Sequence, residues 1–197
     1  MYNLTVKISL AILVVLLAAV FFWQPLTMVT SKVSITNDFV LQTAKGYLDS
    51  RQLRGKVLAI AFASASCGAP CTARLGKLAQ AYELLNLAER DQVRMILVSV
   101  DPEHDTPARI AEYAGSISRD MIGGTGNPEE IMAMADKFGA DYRKAEPKGG
   151  SAFVEVSALA YIVDMDGRFV SVLNEMVTPE KMAAALRQRL PVTLPPQ

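Results

Sequence analysis

The sequence predicts an α/β domain built on a buried sheet and preceded by a helix that crosses a membrane. Three observations carry this. "KVLAIAFA" (residues 56–63) and "VRMILVSVD" (93–101) are continuous apolar runs, the pattern of parallel strands covered on both faces. Between them Leu75, Leu78, Ala79, Tyr82, Leu85 and Ala88 recur at helical spacing. At the N-terminus "LTVKISLAILVVLLAAVFFW" (4–23) carries Lys7 as its only charge, and a bilayer-crossing helix needs about 20 apolar residues.

The apolar N-terminal segment has no polar face, which a buried core helix would show. It ends in "VFFWQPL" rather than in the small residues of a cleavage site, and Phe21, Phe22 and Trp23 suit a membrane interface. The reading is an uncleaved anchor over residues 1–25, a stalk over 26–37, a domain over 38–191 and an extended tail over 192–197. No Arg-rich, Ser-rich amphipathic leader is present, so a mitochondrial transit peptide is not read. The chain has 197 residues, with 20 acidic and 20 basic side chains. That zero net charge, with no basic stripe, argues against nucleic acid as a partner.

The elements follow in order. "FVLQTAKGYL" alternates around Gly46 and predicts a hairpin feeding the first buried strand. Pro70 marks a helix start, with the helix expected to reach about Arg90. After the second strand, "DTPARIAEYAG" predicts a helix capped by Thr106 or Asp105, with Pro107 in its first turn and Gly115 at its end. "GNPEEIMAMADKFGA" predicts another, capped by Asn127, with Pro128 at its start and Gly139 as its stop. "ALAYIVDMDGRFVSVL" reads as two strands joined at Asp166-Gly167. "TPEKMAAALRQRL" closes the domain as a helix capped by Thr178. A strand–helix–strand crossover followed by an antiparallel pair and a closing helix is the thioredoxin-type arrangement, so the expected fold is α/β, thioredoxin-like, with an N-terminal hairpin.

The chain's two cysteines, Cys67 and Cys71, bracket the turn from the first buried strand into its helix. Pro70 disfavours helical angles at Ala69, which places Cys67 in the loop and Cys71 in the first helical turn. Both sulfurs then approach a helix N-terminus, whose partial positive charge favours the thiolate needed for disulfide exchange and for soft-metal binding. Gly68 gives the loop the freedom to bring the sulfurs together. A structural disulfide and two unrelated buried cysteines are the bland alternatives. The former constrains little, because the closed loop is so short.

On these residues the chain resembles the SCO/SenC family of membrane-anchored, thioredoxin-fold proteins used in assembling cytochrome c oxidase. The resemblance runs from about Phe39 to Leu190. Cys67-Gly68-Ala69-Pro70-Cys71 matches the family's Cys-x-x-x-Cys spacing, and "VSVDPEHDTP" is close to its Val-Asp-Pro-Glu-Arg-Asp-Thr-Pro signature, with His104 in place of Arg. "GGTGNPEEI" and "VSALAYIVDMDGRFV" are similar to its Leu-Thr-Gly segment and its closing strand pair. The resemblance implies copper bound by both cysteines and a distant histidine. Here the residue matching that histidine is Val156, which cannot ligate a metal. The prolines that follow each cysteine in the family are Gly68 and Thr72.

Two thiolates alone suit Cu(I). His104, expected at the same sheet edge as the cysteines, is a speculative third ligand or base, although a position beside a helix cap also suits an exposed polar residue. Met132 and Met134 read as the packing of one helix, Met165 lies beside a turn, and Asp101 is a turn former or proton carrier. Two functions stand foremost. One is a periplasmic thiol–disulfide oxidoreductase, single-pass in a bacterial inner membrane, with Cys67 attacking and Cys71 resolving and with an oxidase subunit or another copper or thiol protein as partner. The other is a copper chaperone holding Cu(I) on Cys67 and Cys71. A peroxidase, for which Ser64 three residues before Cys67 is a thin match, and a silenced assembly module are further alternatives.

Overall fold

The computed structural model describes residues 36–140, 142–145, 153–156 and 159–191. The expected anchor and tail, and nearly all of the stalk, lie outside the described residues. Within these, no helix is long and apolar enough to cross a membrane.

Seven strands form one sheet. A hairpin, β1 (Val40–Thr43) and β2 (Gly46–Asp49), leads through a short 3-10 turn (Ser50–Leu53) into β3 (Val57–Ala63). Then come α1 (Ala69–Glu83), α2 (Leu87–Asp91), β4 (Val93–Ser99), α3 (Pro107–Ile117), β5 (Met121–Thr125) and α4 (Pro128–Phe138). A separate two-stranded ribbon, β6 (Tyr142–Ala145) and β7 (Phe153–Val156), precedes β8 (Ala160–Val163), β9 (Phe169–Leu173) and α5 (Pro179–Arg187). The order across the sheet is β2-β1-β5-β4-β3-β8-β9. β3, β4 and β5 pair in parallel, while the β1–β2, β1–β5, β3–β8 and β8–β9 pairings are antiparallel. This is the mixed α/β, thioredoxin-like architecture that the apolar runs predict.

All seven residues of β3 are buried, and they alternate between two cores. Val57, Ala59, Ala61 and Ala63 face α1, α3 and α5, meeting Leu75, Leu78, Ile110, Met182 and Leu186. Leu58, Ile60 and Phe62 face α4, meeting Ile131, Met134 and Phe138. A strand has a side-chain period of two, so covering both faces requires apolar residues at every position. The small residues all point to the α1 side and let that helix lie close to the strand. On the other side an aromatic group closes the core: Phe62, Phe138 and Tyr161 have ring centroids 5.5–6.0 Å apart. Asn37 is already pinned to this body, its N–H donating to the Gly167 carbonyl at 3.0 Å.

The helix caps follow the sequence where capping chemistry is local. Thr106, Asn127 and Thr178 each accept a backbone N–H, a proline lies in each first turn, and Gly139 (φ 65°) ends α4. Other elements depart from expectation. The helix from Pro70 does not reach Arg90. It stops at Glu83, and Asn86 then caps α2 by accepting the Glu89 N–H while Glu89 accepts the Asn86 N–H, a capping box that starts a new helix. Gly115 does not end α3, which continues to Ile117, because nothing crowds that exposed glycine and Ile117 packs on the core. β5, β6 and β7 carry no strong strand signature of their own. Met132 and Met134 are not joint packing: Met134 is buried and Met132 is 54% exposed, since residues two apart fall on opposite sides of a helix.

Candidate redox site

The site lies at the C-terminal edge of the two central parallel strands. β3 ends at Ala63, whose carbonyl accepts the Val100 N–H at 3.1 Å. The chain then turns at once. The Cys67 N–H donates to the Ser64 carbonyl (3.1 Å), and the Ser66 N–H donates to Ser64 Oγ (3.2 Å). Gly68, at φ 71° and ψ −152°, reverses the backbone into α1. A side chain would be strained at that φ, so glycine is required by the conformation and not by lack of space. Ala69 is the first helical residue and is not expelled by Pro70 as expected. The glycine makes the break, and a proline in the first turn needs no intrahelical partner.

Cys67 and Cys71 are joined in a disulfide, with Cα atoms 5.8 Å apart. Cys67 is half-buried against the core, whereas Cys71 is 5% exposed and forms part of it. α1 has no side-chain cap; Cys71 lies in its first turn and Cys67 immediately precedes its N-cap, Gly68. Its uncompensated backbone N–H groups supply partial positive charge there. On reduction that charge favours thiolate over thiol. The pair therefore has one sulfur that solvent or a partner reaches and one shielded behind it.

The segment after β4 forms the other wall. The Asp101 N–H donates to Ser99 Oγ (3.1 Å), and the Asp101 carboxylate pairs with His104 Nδ1 at 2.8 Å. Among the described residues, the ligating atoms of Asp101, Glu103 and His104 gather within 4.8 Å of one another. The structure thus groups His104 with two carboxylates rather than with the sulfurs, and Asp101 serves as its acceptor. The hydrogen bond and charge of Asp101 raise the His104 pKa above the ordinary imidazole value. Because the folded value is raised, the pair supports the folded state below the unfolded imidazole pKa, and this support is lost as pH rises through the folded one. Asp101→Asn is expected to return the His104 midpoint toward the ordinary value in an NMR titration of its ring protons; an unchanged midpoint would show that the pair does not form in solution.

Asp105 departs from its expected role. Thr106 takes the capping position, and Asp105 is fully buried. Its Oδ2 accepts the Ala65 N–H (3.0 Å) and the Ser99 hydroxyl (2.6 Å), and Arg109 Nε lies 3.5 Å from its Oδ1. The available signal was two adjacent cap candidates for one helix end, which frees one of them for another task. Val156 ends β7 and pairs with Tyr142, and β7 approaches β3. Whether Val156 faces the cysteines concerns a side chain outside the described residues. Met165 is partly buried against the core beside the turn at Gly167.

Comparison with known proteins agrees with this architecture. The SCO1/SenC family model matches residues 28–191. An SCO2-like protein of Rickettsia conorii is 28% identical over 158 residues, covering 79% of this chain and 77% of its own length. The structure of Bradyrhizobium japonicum ScoI with copper bound is 33% identical, superposes with a TM-score of 0.70, and covers 80% of this chain and all of that one. BsSco, described with a disulfide switch and as a member of the Sco family of cytochrome c oxidase assembly proteins, is 25% identical at a TM-score of 0.61, covering 80% of this chain and 94% of that one. With the family model spanning most of the chain and the fold shared with Sco structures, this protein belongs to the SCO1/SenC family.

Proposed function

We propose that this protein is a membrane-anchored, periplasmic thiol–disulfide oxidoreductase acting on a cysteine pair of a copper-centre subunit during cytochrome c oxidase assembly. One observation carries the reading: the Cys67–Cys71 disulfide sits at an uncapped helix N-terminus with one sulfur half-exposed and the other buried. In the reducing direction the Cys67 thiolate attacks the partner disulfide. A Cys67–partner bond forms and one partner thiolate leaves. Cys71 then attacks the Cys67 sulfur, closing the intramolecular disulfide and releasing the second partner thiol. The partner gains two electrons and this protein loses two. The test is whether a chain lacking Cys71 stays covalently joined to its partner while one lacking Cys67 does not. The apolar segment at residues 4–23 supports the anchor, and the Cys67–Cys71 disulfide supports a disulfide-permissive compartment. Release of the full chain from membranes by an alkaline wash would overturn the anchor.

The copper-bound ScoI relative favours a second reading, with copper as cargo. Reduction of the disulfide would present two thiolates at one helix start, a donor set that fits Cu(I). His104 is committed to Asp101, and Val156 offers no donor. Cu(II), which prefers added nitrogen or oxygen ligands, is therefore expected to bind weakly. Val156→His is expected to raise Cu(II) affinity at least about tenfold and to add a thiolate-to-copper absorption band, with Cu(I) binding little changed. Tight Cu(II) binding by the unaltered reduced chain that disappears in His104→Ala would assign the third ligand to His104 instead.

A further inference from the structure

Among the described residues, the turn that carries Cys67 packs on the core through Ala65 and Cys67, and one buried carboxylate ties its backbone to another element. Of its three backbone N–H groups, those of Ser66 and Cys67 are satisfied inside the turn by Ser64. Among the described residues, the Ala65 N–H is the one that reaches across to another element, donating to Asp105 Oδ2 at 3.0 Å. Ser64 is itself buried, and its hydroxyl lies 2.7 Å from that of Ser66, so the turn is internally braced. Asp105 is held in its own place by the Ser99 hydroxyl and by Arg109 on α3.

We propose that Asp105 is a positioning residue for the thiol chemistry of Cys67 and Cys71. The disulfide holds the turn against α1 in the oxidised protein. In the dithiol that covalent tie is gone, and the Asp105–Ala65 bond keeps the Cys67 sulfur beside Cys71. The consequence is a high effective concentration of one thiol at the other, which favours ring closure. This inference rests on the oxidoreductase reading of the same cysteine pair.

The experiment is equilibration of the full chain, in detergent, with glutathione. The protein dithiol gives up two electrons and two protons to form its disulfide, and one glutathione disulfide becomes two glutathione thiols. Asp105→Ala is expected to lower the equilibrium constant for closure about tenfold or more. Asp105→Asn, whose amide oxygen still accepts from Ala65 and Ser99, is expected to stay within about threefold of the wild type. A purely structural role would lower the melting temperature of Asp105→Ala and leave the closure constant alone, which would overturn the proposal. Should Asp105→Ala not fold, hydrogen exchange of the wild-type Ala65 amide decides: protection in both oxidised and reduced protein supports the proposal, and loss of protection on reduction overturns it. A wild-type chain that glutathione neither reduces nor oxidises refutes the oxidoreductase reading itself. A shift below twofold in Asp105→Ala, with a wild type that exchanges, refutes only the role of Asp105.

Discussion

The Cys71→Ser chain should accumulate as a mixed disulfide with its partner, and its turnover should fall by about a hundredfold or more. The reason is the division of labour between the two sulfurs. Cys67 is the half-exposed member and Cys71 is 5% exposed. A partner reaches the first and not the second. With serine at 71 the first attack proceeds, but the thiolate that would displace the partner from Cys67 is missing. An external thiol then has to replace one that acts intramolecularly, and effective concentrations within a folded site exceed those in solution by orders of magnitude. Cys67→Ser should give no mixed disulfide, since the remaining thiol is shielded. Non-reducing electrophoresis of both variants, with free thiols alkylated at lysis, reads the result. Equal trapping by both would show that the sulfurs are interchangeable, and trapping by neither would refute the exchange chemistry.

Gly123→Ala should be the costliest single-methyl addition in the domain, destabilising it by about 3 kcal/mol or more and lowering its melting temperature by roughly 6–12 °C. Gly123 lies in β5, where α3 crosses the sheet. A Cβ there would overlap the carbonyl of Ile110 and approach Ala111 Cα within 2.8 Å. Both obstacles are backbone, so the helix as a whole would have to move. Gly115→Ala gives the opposite sign. That glycine is inside α3, and a methyl group on it would meet nothing within 4 Å. Alanine is favoured over glycine in a helix by about 1 kcal/mol. Thermal unfolding of the two variants side by side separates them, and a melting temperature for Gly123→Ala within about 2 °C of the wild type would mean that α3 does not lie this close.

What the sequence alone determined is what depends on neighbours along the chain. Alternation of apolar and polar residues, proline in a first turn, a hydroxyl or amide cap and a glycine stop act over a few residues. For that reason β3, β4, the hairpins, and the caps of α3, α4 and α5 were legible. So was the cysteine pair at a strand-to-helix turn. What only the tertiary structure decided depends on residues far apart in sequence. β5 holds two glycines and looks like a loop in isolation. It is a strand because β4 and β1 flank it, and its Gly123 is demanded by a helix packing on it. The start of α2 was local in its chemistry, but the apolar spacing that continued through it masked the capping box at Asn86. Asp105 looked like a cap, and became a brace for the cysteine turn because Ala65, forty residues earlier, arrives beside it. Likewise the spacing of Cys67 and Cys71 shows that they can pair, while their unequal exposure comes from the packing of Cys71 into the core under α1. Local propensities choose the elements; burial and long-range hydrogen bonds assign each side chain its task.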